Sequence, residues 1–438
     1  MIEQESRIPL FPPGSVVNDQ GNLVIGGCDT MTLAKEFGTP LYLYDEISLR
    51  DQCALFKTEF IQRHSDTTII YAAKAFLNRA MATLFKEEGI GLDVVSAGEL
   101  AIANSAGCPM DKVYFPGNNK SVEELNLALE LKIGRIVVDN IYELEMLDRL
   151  AQEKNVVSDI MMRLTPGVDP HTHSHIITGN IDSKFGFPLA VAEEAVAAAI
   201  SATGLNLVGL HFHIGSQIAE TESYQQAMDI ILKFAAAMKH KHGFELRELS
   251  TGGGFAVQYT LDSPSPPISL FAEVLVSSLT AGCQQYGLSL PKLIIEPGRS
   301  MVARAGVALY TVGAIKDVPG IRRYVSVDGG MGDNIRPALY QAEQVAVLAN
   351  RMRDNATDTV TLAGKFCESG DILIKDIELP PVLIGDIVAV PVCGAYCIPM
   401  SSNYNAFLKP PVVMLGKGKA RLIRRRETID DLTRCDLD

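Results

Sequence analysis

No apolar run in this chain approaches the ~20 residues that a membrane-spanning helix requires. A cationic surplus is missing too. Lys and Arg number 39 against 52 Asp and Glu, a formal charge of −13 that disfavours nucleic acid or an anionic membrane as partner. The opening residues, Met1-Ile2-Glu3-Gln4-Glu5, lack the basic flank and apolar stretch of a signal peptide. The eight cysteines (Cys28, Cys53, Cys108, Cys283, Cys367, Cys393, Cys397 and Cys435) include no CxxC pair. Scattered thiols of this kind point to a reduced, cytoplasmic protein rather than a disulfide framework or a zinc site. Low-complexity segments and internal repeats are likewise absent.

What is present is a globular composition, 47% apolar and 21% charged, over 438 residues, too long for one ordinary core. Short β-branched runs alternate with helical spacing at Thr68–Ala73, Gly91–Val95, Val113–Phe115, Arg135–Val138, Asp159–Leu164, Leu205–Phe212, Leu246–Ser250 and Lys292–Glu296. Eight strand–helix units predict an α/β, TIM-type (β/α)8 barrel over residues 41–304 in preference to an open sheet. Beyond Arg304 the texture becomes strand and turn, which predicts an all-β domain, a sandwich or barrel, over 305–438. The glycine-rich first 40 residues are expected to add strands to that second domain.

Candidate chemistry gathers at the ends of the predicted barrel strands, where such folds place their sites. Lys74 closes the first run, at a position that also suits a solvated strand cap. Gly252-Gly253-Gly254 follows the seventh; it could bring backbone N–H groups close to a phosphate or form a plain flexible turn. Glu296-Pro297-Gly298-Arg299-Ser300 ends the eighth, with a carboxylate suited to a protonated pyridine nitrogen and an arginine fork suited to phosphate or carboxylate. A structural Glu296–Arg299 ion pair is the competing reading. His211 and His213 fall on one strand face. No further ligand cluster supports a metal there; stacking of one imidazole on a flat cofactor is the better functional reading, and a pair of satisfied core histidines is the competing one. Cys367, flanked by Glu368 and Asp371, is poorly placed to be a thiolate; it could act as an acid or be a buried, inert thiol.

Together with Gly91–Ser96, Ser183–Gly186, Phe115–Lys120, Arg336-Pro337-Ala338-Leu339-Tyr340, Gly394-Ala395-Tyr396 and Met400–Asn405, these segments resemble the fold-type III decarboxylases that use pyridoxal 5′-phosphate. Within that family they are similar to those acting on meso-2,6-diaminopimelate. The resemblance implies a Schiff base between Lys74 and the cofactor, with His213 stacked on the ring. It implies that Ser216, Gly253, Gly254, Glu296, Pro297, Gly298, Arg299 and Tyr396 hold the cofactor. Arg299, Arg336, Tyr340, Glu368 and Tyr396 would bind the substrate, and Cys367 would return the proton. A homodimer with shared active sites is implied as well, with Lys184 at the interface or in a surface ion pair. Two departures stand out: Phe255-Ala256-Val257 after the glycine triplet, and Ala406–Pro410 after Asn405. They keep open a related decarboxylase for another carboxylate-bearing amine. A non-catalytic cofactor-binding relative is disfavoured by the presence of both Lys74 and Cys367.

Overall fold

Thr67-Thr68-Ile69-Ile70-Tyr71-Ala72 forms a strand, β1, in which Ile70 and Tyr71 are both fully buried although they point to opposite faces. Burial on both faces is the signature of a parallel sheet covered by helices. The computed structural model describes residues 2–168 and 182–437. In it β1 is joined by β2 (Gly91–Asp93), β3 (Val113–Phe115), β4 (Arg135–Val138), β5 (Ser158–Thr165), β6 (Leu205–His211), β7 (Glu248–Ser250) and β8 (Lys292–Ile295). All neighbours pair in parallel, and β8 returns to β1 through Leu293↔Thr67 and Ile295↔Ile69, closing an eight-stranded barrel. Ile70, Tyr114, Val137, Met161, Val208 and Ile294 fill its interior.

Helices between the strands begin where polar caps predict. Ser121 Oγ accepts the Glu124 N–H while the Glu124 carboxylate accepts the Ser121 N–H, and Asn78, Ser96 and Asn140 cap their helices in the same sense. Below the apolar layer Arg135 spans the ring to both carboxylate oxygens of Glu248, at 2.6 and 2.8 Å, and also reaches Asp159. This ion network lies at the N-terminal end of the barrel strands. Phe255 packs among Phe56, Phe60, Tyr224 and Phe271, which gives that departure from the family pattern a packing role.

The chain divides into two units: one of residues 52–256 and 265–299, containing the barrel, the other of residues 1–51, 257–264 and 300–438. The second unit is built on a nine-stranded sheet with a core of Leu41, Leu43, Val307, Leu309, Val413 and Leu415 among others. N-terminal segments add small separate sheets to this unit: Ile2–Glu3 pairs antiparallel with Asn355–Ala356, and Val16–Val17, Leu23–Ile25 and Cys28–Asp29 form a three-stranded sheet. The expected barrel start at residue 41 is displaced. Leu41–Asp45 pairs antiparallel with Gly306–Leu309 and parallel with Val412–Leu415, so it is a central strand of the β unit. Among the described residues no helix is long and apolar enough to cross a membrane. All eight cysteines are free thiols.

Candidate functional site

The site residues expected from the sequence fall into two groups, one in each unit. In the barrel unit they lie at the C-terminal ends of the strands. Lys74 sits in a short 3-10 turn, Ala73–Ala75, directly after β1. That turn is clamped by the Tyr71 hydroxyl, which donates to the Phe76 carbonyl at 2.8 Å and accepts the Phe76 N–H at 3.0 Å. The Lys74 side chain itself is exposed, and its charge acts on Asp93 and His213.

Glu296, just past β8, is buried, with Ser250 Oγ donating to it at 2.6 Å and His211 Nε2 lying 3.2 Å away. Burial pushes this carboxyl up, but His211, Ser250 and His213 outweigh it and hold Glu296 down at about 2. It is therefore ionised. His213 is held neutral, well below its usual range, by burial and then by the charges of Lys74 and Arg163; its Nδ1 accepts the Gly253 N–H at 3.3 Å. Arg299 donates to Ser216 Oγ at 3.0 and 3.3 Å.

The glycine triplet is required by close approach. Gly252 has φ +67°, and a Cβ there would lie 2.5 Å from His213 Nδ1; one on Gly253 would overlap the Glu296 carbonyl. Tyr224 fixes the turn by donating to the Gly253 carbonyl at 2.9 Å.

Three buried groups in the barrel were not singled out in the sequence. Asp93 ends β2 with Oδ1 unpartnered, and burial followed by the charge of Glu296 pushes it well up. Asp139, after β4, likewise has an unpartnered Oδ1 and is raised by burial. Arg163 of β5 lies over the Phe185 ring at 4.5 Å, with the charges of Asp139, Glu296 and Asp93 offsetting its desolvation. A charged residue inside the apolar run Ile160–Leu164 was the available signal for Arg163. Lys184 lies over the same ring at 4.9 Å.

The β unit holds the other group. Arg336 opens a short helix, Arg336–Tyr340, and is 4% exposed, with Nη1 buried and unpartnered. Cys367 and Glu368 are exposed. Their loop is tied down by Asp371, which accepts the N–H groups of Met331 at 2.6 Å and Phe366 at 2.8 Å. Tyr396 stands at φ +60° between the fully buried Cys393 and Cys397, a left-handed conformation uncommon for a residue with a side chain.

The barrel group has the donors that a phosphorylated pyridine aldehyde needs. Lys74 is an amine for the aldehyde and Glu296 an ionised carboxylate for a ring N–H. The glycine turn has no room for side chains, and His213 is a neutral imidazole.

The pyridoxal-binding domain of the pyridoxal-dependent decarboxylases matches residues 46–303. The diaminopimelate decarboxylase of Bacillus subtilis is 46% identical over 96% of each chain. That of Synechocystis is 44% identical, over 98% of this chain and 92% of its own. The solved structure of diaminopimelate decarboxylase from M. jannaschii in complex with L-lysine aligns at a TM-score of 0.91, with 34% identity and 98% of both chains covered. On this evidence the chain belongs to the pyridoxal-dependent decarboxylases and, within them, to the diaminopimelate decarboxylase family.

Proposed function

We propose that the two groups of residues divide one reaction between them: the decarboxylation of meso-2,6-diaminopimelate to L-lysine and carbon dioxide, with pyridoxal 5′-phosphate as cofactor. When bound, that cofactor supplies an electron sink for the pair left behind by departing carbon dioxide. The chain's residues do the rest. The Lys74 amine would hold the cofactor covalently through its aldehyde. Ionised Glu296 favours the proton on the ring nitrogen, with Ser250 and His211 holding its carboxylate in place. Neutral His213 would pack against the cofactor ring. Gly253, Gly254, Ser216, Pro297, Gly298 and Arg299 hold the phosphate and ring, with Tyr396.

At the substrate's non-reacting end, Arg336, Arg299 and Tyr340 take the carboxylate and Glu368 the ammonium, with Tyr396 nearby in role. The Cys367 thiol returns a proton to the carbon that lost carbon dioxide. A homodimer is part of this reading, with each Cys367 loop serving the neighbouring copy; the exposure of Cys367 and Glu368 supports it. So is a cytoplasmic location, in keeping with the free thiols.

The observation that carries the substrate class is Arg336, a buried guanidinium with an unpartnered N–H. As substrates, with their one carboxylate at the reacting end, ornithine or lysine would bring it no distal carboxylate; lysine reaches it only when bound as the product, amino-acid head at the non-reacting end. The test is carbon dioxide release from meso-diaminopimelate, ornithine and lysine by the cofactor-loaded protein; release from another amino acid and not from diaminopimelate refutes the reading. Mixing Lys74→Ala with Cys367→Ala protein tests the shared site. Mixed dimers are expected to regain turnover that neither variant has alone, and no recovery would refute the sharing.

A further inference from the structure

A buried guanidinium normally sits against a carboxylate, because desolvating an unpaired cation is costly. Arg336 has none among the described residues. Its guanidinium carbon instead lies over the Tyr259 ring, 4.2 Å from the centroid. The negative face of an aromatic ring partly replaces the missing anion. Stacking of this kind engages the flat face of the guanidinium and leaves its edge donors free for a bidentate carboxylate. The buried, unpartnered Nη1 is one such donor.

Tyr259 reaches this place from the loop after β7, the loop that presents Gly252–Gly254. The chain leaves the barrel unit after Ala256, and Val257–Pro264 belongs with the β unit, as Arg336 does. Tyr259 is half-buried. No sequence motif singled it out, and an aliphatic side chain of similar bulk would fill the same space without offering a negative face.

We infer that Tyr259 is a specificity-determining positioning residue: its ring stacks on Arg336 and sets the guanidinium edge toward the carboxylate at the substrate's non-reacting end. This rests on the reading of Arg336 as the receptor for that carboxylate. Tyr259 touches no reacting atom. It acts through Arg336, so its removal weakens binding of carboxylate-bearing ligands and spares the chemical step.

L-Lysine and cadaverine separate these effects, since they differ by the carboxylate alone. Calorimetric titration of the cofactor-loaded enzyme should show the wild type preferring lysine. Tyr259→Leu should weaken lysine binding by about 2- to 30-fold, the span expected for loss of a cation–π contact. Cadaverine binding should not change, and Tyr259→Phe, which keeps the ring, should behave as wild type. In turnover, Tyr259→Leu should raise KM for meso-diaminopimelate by a similar factor at nearly constant kcat. Visible absorbance equal to wild type establishes that the variant is folded and loaded; Tyr259→Met replaces the leucine variant if that one fails to load.

Unchanged lysine affinity in the leucine variant would overturn the inference. So would an equal loss for cadaverine, or a phenylalanine variant as weak as the leucine one. A wild type that does not prefer lysine over cadaverine would instead overturn the carboxylate reading of Arg336, and the role of Tyr259 with it.

Discussion

The side-chain oxygen of Asn405 accepts the backbone N–H of Cys367 at 2.8 Å, while the neighbouring Tyr404 hydroxyl donates to the Cys367 carbonyl at 3.3 Å. Both backbone groups of the proposed proton donor are thus held by the Met400–Asn405 segment. Asn405 does this from φ +53°, a left-handed position that asparagine tolerates better than most residues.

Asn405→Ala is expected to lower turnover about tenfold, less than the ~10²–10⁴-fold that a positioned acid–base group contributes, because the thiol remains and loses one backbone anchor. Cys367→Ala should lower it further. Both should keep the visible absorbance of the cofactor-loaded protein. Carbon dioxide release at saturating substrate is the measurement; wild-type turnover in Cys367→Ala would remove Cys367 from the mechanism, and in Asn405→Ala would show that this anchor does not position it.

Lys74→Ala is expected to lose visible absorbance and turnover together. Glu296→Gln should keep some cofactor but lose turnover, because an amide cannot favour a proton on the ring nitrogen. The apoprotein offers a second reading of Glu296. Its carboxyl is held at about 2, below its ordinary 4.5, so its stabilising contribution is present above 4.5 and is lost as pH falls toward 2. Denaturation of Glu296→Gln should lack that acid-side decline relative to wild type. Parallel acid profiles for the two proteins would contradict an ionised Glu296.

The barrel was legible because its strands are β-branched runs with regular helical spacing between them, and Lys74, Glu296 and the glycine triplet stand at strand ends. The partners of Glu296 were less legible. Ser250 and His211 lie on β7 and β6, and only ring closure brings them to it. Leu41–Asp45 reads as a strand, yet nothing local says which sheet it joins; that depends on Gly306–Leu309 and Val412–Leu415, hundreds of residues away. Asp93 lies in a segment that carries the family resemblance, yet neither it nor Arg163 was given a role, because their significance comes from burial beside Glu296, which periodicity does not report. Tyr259 was hidden for a similar reason: its partner, Arg336, is distant in sequence and belongs to a different motif.

Lys120 and Glu143 form a buried ion pair at 2.7 Å, with side chains 2% and 3% exposed. Lys120 also donates to the carbonyls of Gly117 and Val137, so it ties the loop after β3 to the end of β4. Lys120→Met leaves Glu143 buried and uncompensated, and a loss of about 3–5 kcal/mol in unfolding free energy is expected. Adding Glu143→Leu should recover much of that loss. Urea denaturation of the two variants gives the comparison; a double variant as weak as the single would show that the pair matters for more than its charges.

Asp333 sits in the core of the β unit. Its Oδ1 accepts the hydroxyls of Tyr310 at 2.7 Å and Tyr42 at 3.0 Å, and its Oδ2 accepts the Gly330 N–H at 3.0 Å. Burial raises its carboxyl from 3.8 to about 6 against the pull of those hydrogen bonds. The native protein therefore binds this proton more tightly than the unfolded chain does. The resulting stabilisation is complete below 3.8 and is lost as pH rises through 6. Asp333→Asn cannot titrate. Between pH values on either side of that window, the stability difference should move in the variant's favour by on the order of 3 kcal/mol, other titrations cancelling in the comparison. Urea midpoints for both proteins across the window measure it, and a difference independent of pH would show that Asp333 titrates as an ordinary carboxylate.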